Sequence, residues 1–175
     1  MTHVSFTVVG LPAPQGSKSA FVRGGRAVIV DGSSKAGRQK HLNWREDVTS
    51  EAISAQELRG GDQFVGPVSV HIEFFMPLPA SDRHRTLHAT KPDIDKLVRS
   101  VLDSLTTSAI IRDDSQVSAL HVTKQYARDG HWTGASIALA DMSEAEEINR
   151  KKSKETAKAK IGKTRAVKAG PQGGK

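Results

Sequence analysis

The stretch KPDIDKLVRSVLDSLTTSAIIRDDSQV, from Lys91 to Val117, carries aspartates at 93, 95, 103, 113 and 114 around an apolar helical pattern. If folding gathers three or four of these carboxylates, unit charges about 4 Å apart repel by roughly 4 kcal/mol at an effective dielectric of about 20. Such a cluster requires a divalent cation or strongly raised pKa values. All-oxygen ligands favour Mg2+ or Mn2+ over zinc. A cation held by few carboxylates keeps positions for water and for a phosphate oxygen, so the chemistry in view is metal-assisted phosphodiester hydrolysis. A plainer account exists for Asp95, Arg99 and Asp103, which at i, i+4 and i+8 would form a surface ladder of ion pairs. Two other uses of D-x-D fail. An aspartyl-phosphatase motif follows a hydrophobic strand, but His88-Ala89-Thr90-Lys91-Pro92 precedes this one, and a calcium-binding loop needs further ligands and a central glycine.

The elements that must position these acids are legible in outline. Pro92 ends any preceding helix, and Asp93 is placed to cap the next, over residues 93 to about 107. Its Ile94, Leu97, Val98, Val101, Leu102 and Leu105 share one face, with Asp95, Arg99 and Asp103 opposite. Strands are expected at 3–9, from Val68 through Phe75, at 117–126 and at 135–140, and a hairpin at 20–23 and 26–30 around Gly24-Gly25. A helix from about Ala36 to Leu58 carries Leu42, Trp44, Val48, Ala52 and Ile53 at helical spacing and ends at Gly60-Gly61. The order predicts an α+β fold: a single compact domain with a mixed β-sheet and two main helices. A helix N-terminus meeting the start of a neighbouring strand would bring Asp93, Asp95, Asp113 and Asp114 together.

Composition narrows the function. The 175 residues carry a net charge of +7 and contain no cysteine, which excludes disulfides, thiolate metal sites and cysteine nucleophiles. No apolar run approaches a membrane span, and the N-terminus lacks signal-peptide character, so a soluble cytoplasmic protein is expected. Residues 143–175 hold ten basic and four acidic side chains, a net of +6, which leaves the body of residues 1–142 at +1. The tail is too lean in apolar residues to offset its ordering entropy and reads as a flexible Lys-rich segment with a helix-like start at Ser143-Glu144. Its use would be sequence-independent phosphate binding, or merely solubility.

The acidic segment resembles the RusA family of Holliday-junction resolvases, whose pattern runs D-x-D-N, L-D-A-L, D-D-x-Q-V. Here it reads Asp93-Ile94-Asp95-Lys96, Leu102-Asp103-Ser104-Leu105 and Asp113-Asp114-Ser115-Gln116-Val117. Gly10-Leu11-Pro12-Ala13-Pro14-Gln15-Gly16-Ser17-Lys18 is similar to the opening of many phage-borne members, and the likeness spans about residues 4–140. The resemblance implies a homodimeric, Mg2+-dependent endonuclease that nicks two strands of a four-way junction symmetrically, working in the bacterial host cytoplasm if phage or prophage encoded. It assigns the metal to Asp93, Asp95 and Asp114, with Asp113 and Asp103 as neighbours. Arg99 stands where the family has a lysine, and Lys96 where it has an asparagine. Arginine keeps the charge for a developing phosphorane but does not readily give up a proton.

Lys18, Lys91 and Lys96, with Arg83 and Arg85 in a loop-like stretch, are candidate DNA contacts. His84 and His88 are four apart but lack a third ligand for zinc, Trp44 fits a core or dimer interface, and Trp132 could wedge at a crossover. No membrane and no small-molecule cofactor are expected. Two other readings remain at this point: a basic, non-catalytic architectural DNA-binding protein with a structural cation, and a metal-dependent nuclease for flaps, forks or RNA.

Overall fold

The computed structural model describes residues 3–16, 18–31, 34–79, 86–128, 130 and 132–153. Its elements run β1 (His3–Val9), β2 (Lys18–Arg23), β3 (Arg26–Asp31), α1 (Lys35–Leu58), β4 (Val68–Met76), α2 (Ile94–Thr107), a short 3-10 turn (Asp114–Gln116), β5 (Val117–Tyr126) and β6 (Gly134–Asp141). Residues 143–153 form a third helix, α3, with a Glu147–Lys151 ion pair at 2.9 Å along one face. The remainder of the basic tail, 154–175, lies outside the described residues. No helix among the described residues is long and apolar enough to cross a membrane.

Four strands make one sheet in the order β1-β6-β4-β5, antiparallel except for the β4–β5 pair. Parallel neighbours need a long crossover, and α2 lies within the one that joins β4 to β5. The fold is therefore α+β with a mixed sheet, as the element order suggests. The β2–β3 hairpin is a separate two-stranded ladder, closed by Gly24 and Gly25, both at positive φ as a tight two-residue turn demands.

One face of the sheet packs on the helices. Val4 and Val8 of β1, Val70, Ile72, Phe74 and Met76 of β4, and Ile137 and Leu139 of β6 are buried, together with Trp44, Val48 and Ala52 of α1 and Leu97, Val101 and Leu105 of α2. Leu42 and Ile53 of α1 are exposed instead, as is Ile94 at the start of α2. The buried stripe of α1 runs through Trp44, Val48, Ala52 and Ala55, and Leu42 and Ile53 lie off it. Where α1 meets α2, the buried α2 positions Ser100 and Ser104 are small, and the Ser104 hydroxyl donates to the carbonyls of Ser100 (2.9 Å) and Arg45 (3.3 Å). Gly134 has φ +150°, and a Cβ there would collide with the Val8 carbonyl oxygen and press on Trp132. Trp132 packs edge-on against Phe75, ring centroids 5.2 Å apart, and is partly covered.

Ile72, fully buried at the centre of the sheet, and Leu58, 91% exposed at the end of α1, give a direct test of this packing. Ile72→Ala is expected to lower the unfolding free energy by about 2–5 kcal/mol in urea titration, and Leu58→Ala by less than about 0.5 kcal/mol.

Candidate active site

The connection into α2 is held from three directions. Asp93 occupies the N-cap position, but its side chain makes no capping hydrogen bond and instead accepts one from Lys96 Nζ at 2.8 Å. This exposed ion pair holds the Asp93 carboxyl below the ordinary aspartate range and raises the Lys96 ammonium in return. Lys124 of β5 donates to the carbonyls of Thr90 (2.8 Å) and Pro92 (2.6 Å), tying the residues just before the helix to the strand. Burial lowers the Lys124 pKa, against the opposing pull of Asp93. The third tie is the Gln15 N–H, which donates to the Lys96 carbonyl at 3.1 Å.

Lys124 escapes sequence reasoning, yet it leaves a trace. Register places Leu120, Val122, Lys124 and Tyr126 opposite Val70, Ile72, Phe74 and Met76, so the lysine interrupts the row of β5 that faces the helices. His88 is buried against Tyr126, ring centroids 4.8 Å apart, and its pKa is lowered by burial and by Lys124. His84, Arg83 and Arg85 lie outside the described residues. Lys18 opens β2, paired in register with Asp31. Lys91 is exposed beside Asp93 and has no ion-pair partner among the described residues.

The second pair of acids is built by Gln116. Its Oε1 accepts from the N–H groups of Arg112 (2.7 Å) and Asp113 (3.2 Å), and its Nε2 donates to the carbonyls of Phe64 (3.0 Å) and Gly66 (2.9 Å). The Asp113 carboxylate accepts from the Ser115 N–H at 2.9 Å, and the hydrogen bonds from Ser115 lower its pKa. These contacts close a capping box on the 3-10 turn and leave the Asp114 carboxylate exposed and without a partner among the described residues. The glutamine of the D-D-x-Q-V pattern is thus the pin of that turn.

One chain does not bring the two pairs together. The 3-10 turn runs directly into the start of β5, whereas Asp93 sits beside Lys124, near its end. Seven residues of strand separate Val117 from Lys124, about 23 Å at 3.3 Å per residue. The expected meeting of the α2 N-terminus with the strand start is not formed, because α2 and β5 run in opposite directions. Asp103 is also elsewhere, 3.9 Å from Arg45 of α1. Asp95 and Arg99 are exposed one turn apart on α2 and form no ion pair with each other. Among the described residues no group of three or more acids or histidines could hold a metal ion. The donor set, all carboxylate oxygen, suits a hard cation. Its placement within a single chain does not.

The model of the endodeoxyribonuclease RusA family matches residues 24–133, more than half of the chain. The chain belongs to the RusA family. It is therefore a Holliday-junction-resolving endonuclease of a family that acts on branched DNA. Residues 93–117 with both acidic pairs, Arg99 and Lys124 fall inside the matched RusA segment, and the Leu11–Gly16 loop precedes it. The Bacillus subtilis (strain 168) sequence named "Uncharacterized protein YqaN" is 29% identical over 140 residues, covering 74% of this chain and 92% of that protein.

Two substitutions test the geometry. Followed by NMR titration, the Asp93 carboxyl should move up toward the ordinary aspartate pKa in Lys96→Met, and by less in Lys124→Met. Because the folded pKa is depressed, the stability this pair contributes is present above the ordinary aspartate pKa and is lost as pH falls through the depressed value. Gln116→Ala should cost at least about 1–3 kcal/mol in denaturant unfolding, since it strands buried backbone groups.

Proposed function

We propose that the chain cuts branched DNA by cation-assisted phosphodiester hydrolysis, as a homodimer that makes paired symmetric nicks. The observation that carries this reading is the division of the carboxylates between the two ends of β5. Asp93, Asp95 and Asp114 are oxygen donors suited to Mg2+ or Mn2+, and each pair is incomplete alone. The outer edge of β5 is bridged by Thr86–His88 only at its end, through Leu87 opposite Gln125, and among the described residues it is otherwise open. Antiparallel union of two such edges would set the start of one strand beside the end of the other. The Asp113–Asp114 pair of each protomer would then face the Asp93–Asp95 pair of its partner, giving two sites related by a two-fold axis. A four-way junction offers two equivalent strands to such a pair.

The cation would activate the attacking water and neutralise the leaving oxygen. Arg99 is fixed on α2 one turn beyond Asp95 and serves as an electrostatic partner for the developing negative charge; a guanidinium does not take part in proton transfer. Lys96 orients Asp93 and keeps its carboxylate ionised. Lys91, together with Lys18, Arg83 and Arg85, supplies phosphate contacts that position the backbone without reading sequence. The basic tail adds non-specific attraction through counterion release. The work takes place in the cytoplasm, where DNA is the partner.

Cleavage of a synthetic four-way junction is the test. Wild type is expected to nick opposing strands with Mg2+ and to stop with chelator, and Asp95→Asn is expected to fall to the protein-free background. Full activity of Asp95→Asn would overturn the site. Removing residues 143–175 should weaken junction binding and flatten its dependence on salt, read by titrating affinity against NaCl.

A further inference from the structure

A cleft of about 790 Å3 separates the Leu11–Gly16 loop from the Lys91–Asp93 segment. Its walls are largely apolar, formed by Pro12, Pro14, Met76 and Pro92, and Lys40 and Lys91 stand at it as exposed cations without ion-pair partners among the described residues. Two polar side chains on this cleft each leave one buried atom without a hydrogen-bond partner among the described residues. Gln15 is held in place by its main-chain bond to Lys96, yet among the described residues its Oε1 is buried with no hydrogen-bond partner and its Nε2 makes no bond. His88, only 8% exposed, has an Nδ1 in the same condition. Buried polar groups without partners are rare, and each calls for a reason.

An unstacked nucleobase fits what is there. It presents flat apolar faces to proline rings and a methionine, and a polar edge to an amide that can both donate and accept. The phosphates that flank it match Lys40 and Lys91. The cleft is too small for a duplex, and it opens beside Asp93, where the backbone to be cut would lie. Taking a base out of the stack costs free energy, least for one that is already unpaired.

We propose that this cleft receives a single unstacked base of the branched DNA, next to the scissile phosphate, and that Gln15 reads its polar edge. The proposal rests on the nuclease reading of the neighbouring aspartates and adds a specificity-determining residue outside the segment that the family model matches. It makes cleavage depend on the identity of one base, although the rest of the interface follows the backbone.

The test uses the full-length protein and four-way junctions carrying 2-aminopurine at one position at a time around the crossover, in EDTA so that no cutting occurs. One position is expected to brighten several-fold on binding, and this rise should collapse in both Gln15→Leu and Gln15→Ala. With Mg2+, nicking of junctions that differ only at that base should spread by about tenfold or more in wild type and converge in the variants, as for loss of one base contact. Absence of brightening at every position, an unchanged rise in both variants, or equal nicking of all four bases would overturn the proposal. Brightening without any nicking would uphold the cleft and overturn the nuclease reading instead.

Discussion

Parallel pairing of β4 with β5 is the constraint from which the site follows. A chain leaving the end of one strand must return the full length of the sheet before it can enter the next in the same direction. Here α2 makes that return, so its N-terminus lies at the far end of β5 and its C-terminus leads to the near end. Whatever acids the sequence places on the two sides of α2 are therefore held apart by the length of the strand. The register of β4 on β5, kept from Ser69–Ala119 to Met76–Tyr126, makes that separation rigid.

The two ends are fixed by different means. At one, Lys124 reaches from the strand to the carbonyls of Thr90 and Pro92, and Lys96 neutralises Asp93. At the other, Gln116 satisfies four backbone groups at once, and Asp114 is left projecting. Among the described residues neither end gathers three or more acidic side chains. In the proposed dimer the carboxylates would crowd only where two copies meet, and a cation there would relieve their repulsion. On that proposal metal binding and association would be linked, each favouring the other.

The fold was largely readable from the sequence. Strict alternation marked β4, the Gly24-Gly25 pair marked the hairpin, and the apolar face of α2 was correct apart from its solvent-facing first residue, Ile94. On α1 the periodicity took in Leu42 and Ile53, which are exposed, because periodicity shows a stripe but not its width. The site was legible as residue types and illegible as geometry. The spacing of Asp93, Asp95, Asp113 and Asp114 says nothing of whether the intervening helix returns them to one place, and that depends on strand order. Lys124 was readable in principle as a charge in an inward-facing row. The role given to Gln15 was not, since it depends on a side-chain oxygen that the fold buries without a partner among the described residues.

The central claim is that each site needs acids from both protomers, and mixing inactive variants tests it most directly. Asp95→Asn and Asp114→Asn protein, each expected to be inactive alone, would be combined, allowed to exchange subunits and assayed on a junction with Mg2+. A shared site leaves each mixed dimer with one intact set of carboxylates and one doubly damaged set, so nicking of a single strand should return. A site contained in one chain leaves both sets damaged, and a mixture that stays at background after exchange is shown by mass spectrometry would contradict the account.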